Sequence, residues 1–200
     1  MKTKIVKGFK FVSKDLTSQK NCQWKVGEWK HHEGELKLCE KGFHASLTPL
    51  QNLNYINGDR WFFVEAKGEI IYDDNKFVAR SMRLVKEIKN VKEISVDFSI
   101  ACSWRVLKNY EDKYPNDKRV RNAILAAKKV LLNPSEENIK VAQSAESAAW
   151  SAESAAWSAA RSAARSAAES AARSAAEIKW QEKTLKRIIN KWQNKKGVFK

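Results

Sequence analysis

The residues of this chain best able to do chemistry sit near its start. Three cysteines (Cys22, Cys39 and Cys102) and three histidines (His31, His32 and His44) are the only thiol or imidazole ligands in 200 residues. Zinc takes four such ligands, in close pairs. Cys22, Cys39 and His44, with His31 or His32, would have to supply them. No Cys-x-x-Cys pair occurs. The pattern therefore predicts no metal site and no cofactor, but structural thiols and a hydrogen-bonded histidine. An odd cysteine count without a secretory start argues against a disulfide framework, so the thiols are expected reduced.

A second kind of chemistry is electrostatic. The formal net charge is +15, with 43% hydrophobic and 30% charged residues. The excess is unevenly placed: residues 178–200 carry Lys179, Lys183, Lys186, Arg187, Lys191, Lys195, Lys196 and Lys200 against Glu182 alone. Such a segment neutralises phosphates or an acidic protein surface. The competing reading is a solvated helix face whose cations complement the C-terminal helix dipole. Upstream, Trp150 and Trp157 lie one heptad apart, with Arg161 and Arg165 continuing the line. Indoles there either fold back on a facing helix or anchor a partner. The expected partner-binding set is Trp150, Trp157, Arg161, Arg165, Lys183, Lys186, Arg187 and Lys191.

Elements that position these residues fall into two textures. The first half is rich in β-branched and aromatic residues. From Lys4 to Val12 apolar and basic residues alternate, the period of a half-buried strand. Cys22 to Lys30 is expected as a strand interrupted at Gly27, and Glu35 to Cys39 as another after a Glu33-Gly34 hairpin turn. Thr48-Pro49 signals a helix start, giving a short helix through Leu50, Leu53 and Tyr55 that ends at Asn57-Gly58-Asp59. Arg60 to Tyr72 and Phe77 to Ile88 read as strands joined by Asp73-Asp74-Asn75.

The second half is helical. Ser95 and Asp97 are expected to cap a helix to Asn109, Tyr114-Pro115-Asn116-Asp117 breaks it, and Lys118 to Leu132 is amphipathic with Val120, Ile124, Ala127 and Leu131 on one face. Asp117 is expected to cap a helix or to pair with Arg121. Asn133-Pro134 restarts a helix with Glu136 and Glu137 in its first turn.

From Ser144 to Glu177 the chain repeats SAESAAW twice, then SAAR, SAAR, SAAE, SAAR and SAAE. Sevens fall about 20° short of two turns and fours overshoot one turn by about 40°, so alanines form a smooth stripe suited to close helix packing. Unbroken to Gly197, the helix would run ~90 Å, so a kink is expected near Glu177. Beyond it, Leu185, Ile188, Ile189 and Trp192 form a fresh apolar stripe.

The expected architecture is α+β: a small, mostly antiparallel β module over 1–94, then an all-α, Ala-rich long-helix domain over 95–200. No apolar run approaches the ~20 residues of a membrane span, and the start lacks the apolar stretch of a signal peptide, which predicts a cytoplasmic protein.

Two family resemblances bear on function. Gly8 with Phe9, Cys22, Gly34 with Glu35, the Cys-x-x-Gly-Phe-His core (Cys39, Gly42, Phe43, His44), and Asn54 with Tyr55 resemble an uncharacterised domain of phage and prophage proteins, over residues 4–90. This implies a phage-associated setting. Cys102, Arg105, Val106, Leu107, Tyr114, Pro115, Asp117, Arg119 and Arg121, followed by the Ala-rich tract, resemble the putative immunity protein family of bacterial toxin systems, over residues 98–190. That resemblance implies a non-enzymatic inhibitor bound to a bacterial toxin or effector protein. Nucleic acid is the alternative partner, and the alanine stripe would also permit a homodimer. A looser likeness, of Gly-Phe-His before a short helix and an aromatic strand, is to the NAD-binding core of ADP-ribosyltransferase-like folds. It implies His44 on a ribose, Tyr55 or Trp61 on nicotinamide, and Glu65 or Glu69 at the glycosidic bond.

Overall fold

The computed structural model describes residues 4–18, 22–56, 58–145 and 175–194. Sheet and helices segregate along the chain, so the fold class is α+β, with a mostly antiparallel sheet first and helices after it. Contacts divide the chain into two units: residues through Val91 together with those from Ile189 onward, and Lys92 through Ile188.

In the first unit, β1 (Val6–Val12) pairs antiparallel with β6 (Arg60–Tyr72), which pairs with β7 (Phe77–Ile88). Two short strands, β4 (Lys30–His31) and β5 (Phe43–Ala45), occupy the far edge of β7. The long hairpin follows from β-branched and aromatic residues on both arms and the Asp73-Asp74 turn, closed by the Asp73 amide donating to Lys76 O at 2.9 Å. Its register slips between Lys67 and Ile70, where Gly68 and Glu69 stand opposite Arg80 alone, a bulge that sharpens the twist.

One face of this sheet is buried along its length, and the other only in part. Phe62, Val64, Ala66, Phe77, Ala79, Met82 and Leu84 form the buried cluster on one face with Trp24. On the other, Phe11 stacks on Trp61 with ring centroids 5.0 Å apart. The partners Lys10 and Phe62 therefore share a face, and Lys10 points into the cluster side. The alternating run Lys4–Val12 forms the expected half-buried strand over Val6–Val12, but with Lys10 on the clustered side.

The stretch expected as a strand from Cys22 to Lys30 is mostly loop. Only β3 (Cys22–Gln23), paired with β2 (Thr17–Ser18), and the start of β4 are extended. Trp24 is pulled out of strand geometry because its ring fills the core and its indole N–H reaches Ser18 Oγ at 2.8 Å. Glu35–Cys39 is likewise not a strand. It forms a tight loop closed by the bridge Lys37–Lys41, with Cys39 at φ 67°. α1 (Pro49–Asn52) begins where expected: Thr48 and Gln51 form a reciprocal capping box with Pro49 in the first turn. A 3-10 turn, Leu53–Tyr55, extends it.

The second unit opens within α2 (Val91–Lys113), several residues before the expected Ser95 cap, because Asn90 takes the left-handed conformation (φ 59°) that ends β7. α3 (Arg119–Leu132) buries Ile124, Ala126 and Leu131. The α2–α3 turn is held by Asp117, whose carboxylate accepts the Arg119 backbone N–H (3.0 Å), the Arg119 guanidinium (2.7 Å) and the Tyr110 hydroxyl (2.8 Å). Arg121 is not its partner and binds Glu111 at 2.6 Å instead. Helix resumes over 136–145 (α4), capped not by Asn133 but by Ser135, whose Oγ accepts the Asn138 N–H at 3.2 Å. α5 (Ala175–Asn194) buries Leu185, Ile188, Ile189 and Trp192, the expected stripe. The Ala-rich repeat between α4 and α5 falls almost entirely outside the described residues, as do Trp150, Trp157, Arg161 and Arg165.

Candidate functional site

Two features of the described residues could meet another molecule: a cleft on the β module and the cationic face of α5.

The cleft is built around β5. Gly42 makes it possible. Its φ is +105°, and a Cβ there would lie 2.6 Å from Val78 Cγ2 and 2.7 Å from Leu36 Cδ2, so only glycine lets the 37–42 loop fold onto β7. The next residues are then aimed. Phe43 packs edge-on against Trp24, and His44 turns its ring back to the loop, where Nε2 accepts the Cys39 N–H at 2.8 Å. This bond holds Cys39 in its left-handed conformation, and it fixes the nitrogen as an acceptor. Gly8 lets β1 approach the same region. A Cβ there would meet Ser46 O at 2.7 Å, and without one Phe9 and Ser46 exchange backbone hydrogen bonds at 2.8 and 3.0 Å.

Two cavities of about 170 Å³ share Lys10, Ser18 and His44 in their walls. The first also holds Cys39, Tyr55 and Lys76, and the second Cys22, His32 and Lys41. Lys10 Nζ donates to the His44 carbonyl at 2.9 Å and lies 5.8 Å from the Trp24 ring. Enclosure of this ammonium lowers its pKa to about 8, against a smaller opposing effect of Cys22. Lys76 Nζ lies 2.9 Å from Cys39 Sγ and 5.1 Å from the centroid of the Tyr55 ring, and the Cys39 contact raises its pKa. Neither lysine is singled out by spacing. Each reads as a surface cation in the sequence, and only the register that pairs Lys10 with Phe62 and the Tyr55 ring beside Lys76 bring them into the cleft wall.

The transferase constellation is not assembled. His44 and Tyr55 line one cavity, but Trp61 is 1% exposed and its indole N–H donates to Asn52 Oδ1 at 2.8 Å. Glu65 is bound by Arg83 at 2.7 Å and Glu69 by Arg80, and neither carboxylate lines the cavity. Among the described residues no group of three His, Cys, Asp or Glu side chains is placed to hold a metal. Cys22 and Cys39 line different cavities, His31 is bonded to Ser81 Oγ and His32 to Glu35 O. The cysteines Cys22, Cys39 and Cys102 are free thiols.

On α5, Lys179, Lys183, Lys186, Arg187 and Lys191 are all exposed and recur at helical spacing, opposite the buried stripe of Leu185, Ile188 and Trp192. Glu182 pairs with Lys186 at 3.3 Å and offsets one of these charges. The four candidate cations in the described part of the chain thus share one face. No helix among the described residues is long and apolar enough to cross a membrane.

Comparison with known proteins adds one likeness. Residues 6–99 match a family described as a domain of unknown function (DUF7666), which spans the whole sheet, the cleft and the first turns of α2. No curated protein and no solved structure matches the chain.

Proposed function

We propose that this chain is a non-enzymatic interaction protein of a phage or prophage, acting in the bacterial cytoplasm by binding and inhibiting a toxin or defence effector. The cationic face of α5 carries the reading: Lys183, Lys186, Arg187 and Lys191 stand exposed on a helix whose opposite face is buried. A helix fixed by its apolar back presents its charges at set positions, so little ordering entropy is lost when an acidic surface meets them. The effector would supply that acidic surface. Trp150, Trp157, Arg161 and Arg165, which lie outside the described residues, would contribute to binding the same partner. The resemblance of residues 98–190 to immunity proteins supports inhibition over catalysis.

The test is capture from bacterial lysate by the full chain and by a variant with all four α5 cations changed to alanine. A stoichiometric protein held only by the unmodified chain, and blocked in its own activity when repurified with it, is the expected result. Equal capture by both chains would remove α5 from the interface.

A second reading rests on the same face. Cations at this spacing also fit successive phosphates, so nucleic acid is the alternative partner. Binding whose logarithm falls linearly with the logarithm of salt would favour it.

A further inference from the structure

The cleft poses an electrostatic problem that α5 does not touch. The first cavity is walled by two lysines, Lys10 and Lys76, and by no carboxylate. Lys76 has Asp73 at 3.9 Å, outside that wall. Lys10 has no ion-pair partner among the described residues, and its one acceptor there is the His44 carbonyl. An ammonium carries three N–H groups, and enclosing it without a counter-charge is costly. The lowered pKa of Lys10 is the mark of that cost. The rest of the wall is suited to an anion with a small carbon body. Ser46 contributes a hydroxyl, and Tyr55 contributes aromatic carbon. The volume, near that of cavities holding a single six-carbon ring, limits the body to a few carbons.

We propose that this cavity is a binding site for a small phosphate monoester, its phosphoryl group held between the ammonium groups of Lys10 and Lys76. The phosphate supplies the missing counter-charge, and charge-assisted hydrogen bonds to its oxygens replace the solvation Lys10 has lost. Tyr55 flanks the carbon body. Cys39 then loses Lys76 as its principal neighbour when the ligand enters, so occupancy reports at the thiol. The proposal is independent of any partner on α5.

The full chain would be titrated at constant ionic strength with inorganic phosphate, glycerol 3-phosphate and acetate, following lysine side-chain NMR signals and the thermal midpoint. Expected are saturable shifts of the Lys10 and Lys76 signals with both phosphates, and a weaker effect of acetate. Lys10→Met and Lys76→Met should each cost roughly tenfold in affinity, the scale of one charge-assisted contact. Should either variant fail to fold, the lysine signals of the unmodified chain still decide. Lysine signals that do not move overturn the site, as does a phosphate effect unchanged in Lys10→Met. Acetate binding as tightly as phosphate overturns the ligand class.

Discussion

The side-chain amide of Gln193 binds the backbone of Lys89 on both sides: its Nε2 donates to Lys89 O at 3.0 Å and its Oε1 accepts the Lys89 N–H at 3.4 Å. A carboxamide has the donor and acceptor of a peptide group, so Gln193 stands in for one more strand residue where β7 runs out. Asn90 adds to the junction by donating to the Trp192 carbonyl at 3.3 Å. Replacing Gln193 by alanine leaves this backbone pair without its partner. The expected loss is about 1 kcal/mol in urea unfolding, with Gln193→Glu losing the donor alone. An unchanged midpoint in Gln193→Ala would show that water serves the strand end equally well.

Gly42→Ala should be far more damaging. The added methyl would overlap Val78 and Leu36 in a backbone conformation that disfavours side chains. More than about 2 kcal/mol should be lost, and the His44–Cys39 hydrogen bond with it. Accelerated hydrogen exchange of the Cys39 amide would register the second effect separately from the first.

Lys10 makes stability depend on alkali in a defined direction. Its folded pKa, about 8, lies below the ordinary lysine value. Between these values the unfolded chain binds more protons than the folded one, so stability rises with pH across that window. Lys10→Met has no such amine. It should match or exceed the parent in stability at pH 7, and the difference between them should shrink from pH 8 towards pH 10.5. Parallel pH curves for the two chains would refute the enclosure of the ammonium.

Asp117 produces the opposite dependence. Its carboxylate lies well below the usual range, chiefly because the Arg119 guanidinium and backbone N–H bond to it. A depressed folded pKa contributes stability above the unfolded value, near 4, that is lost as pH falls towards the folded one. Asp117→Asn should therefore unfold at lower denaturant than the parent at pH 7, with the gap narrowing as pH falls from 4 to 2. A constant gap across that range would mean that the charge is irrelevant.

The face of α5 predicts a salt law. If its partner is nucleic acid, removal of Lys183, Lys186, Arg187 and Lys191 should reduce the slope of log K against log salt by about 3 to 4. The helix itself should survive by circular dichroism, since all four side chains are exposed.

The elements that sequence alone made legible were those with long, consistent patterns. The β6–β7 hairpin, the amphipathic α3 and the apolar stripe of α5 repeat a period over many residues, so each position supports the next. The Thr48-Pro49 start was equally plain, because a capping box is a local device. What escaped was set by contacts distant in sequence. Trp24 leaves strand geometry for the core, the 37–42 loop depends on the space beside Val78, and Arg121 chose Glu111 over Asp117. Of the cleft, His44 and Tyr55 stood out by type, whereas Lys10 and Lys76 did not. A lysine alternating with phenylalanine looks solvated until the strand register sets it beside Phe62. The α5 cations were visible as a charge cluster, and the structure adds that they share one exposed side.

The last turn of α5 belongs with the sheet, although some hundred positions of chain separate Lys89 from Gln193. An expression boundary drawn after residue 99, where the recognised domain stops, would cut away the piece that finishes β7. Fragments trimmed there should be insoluble or fraying. A circularly permuted gene that places the Gln193 segment ahead of Val6 would be the rational way to isolate the module.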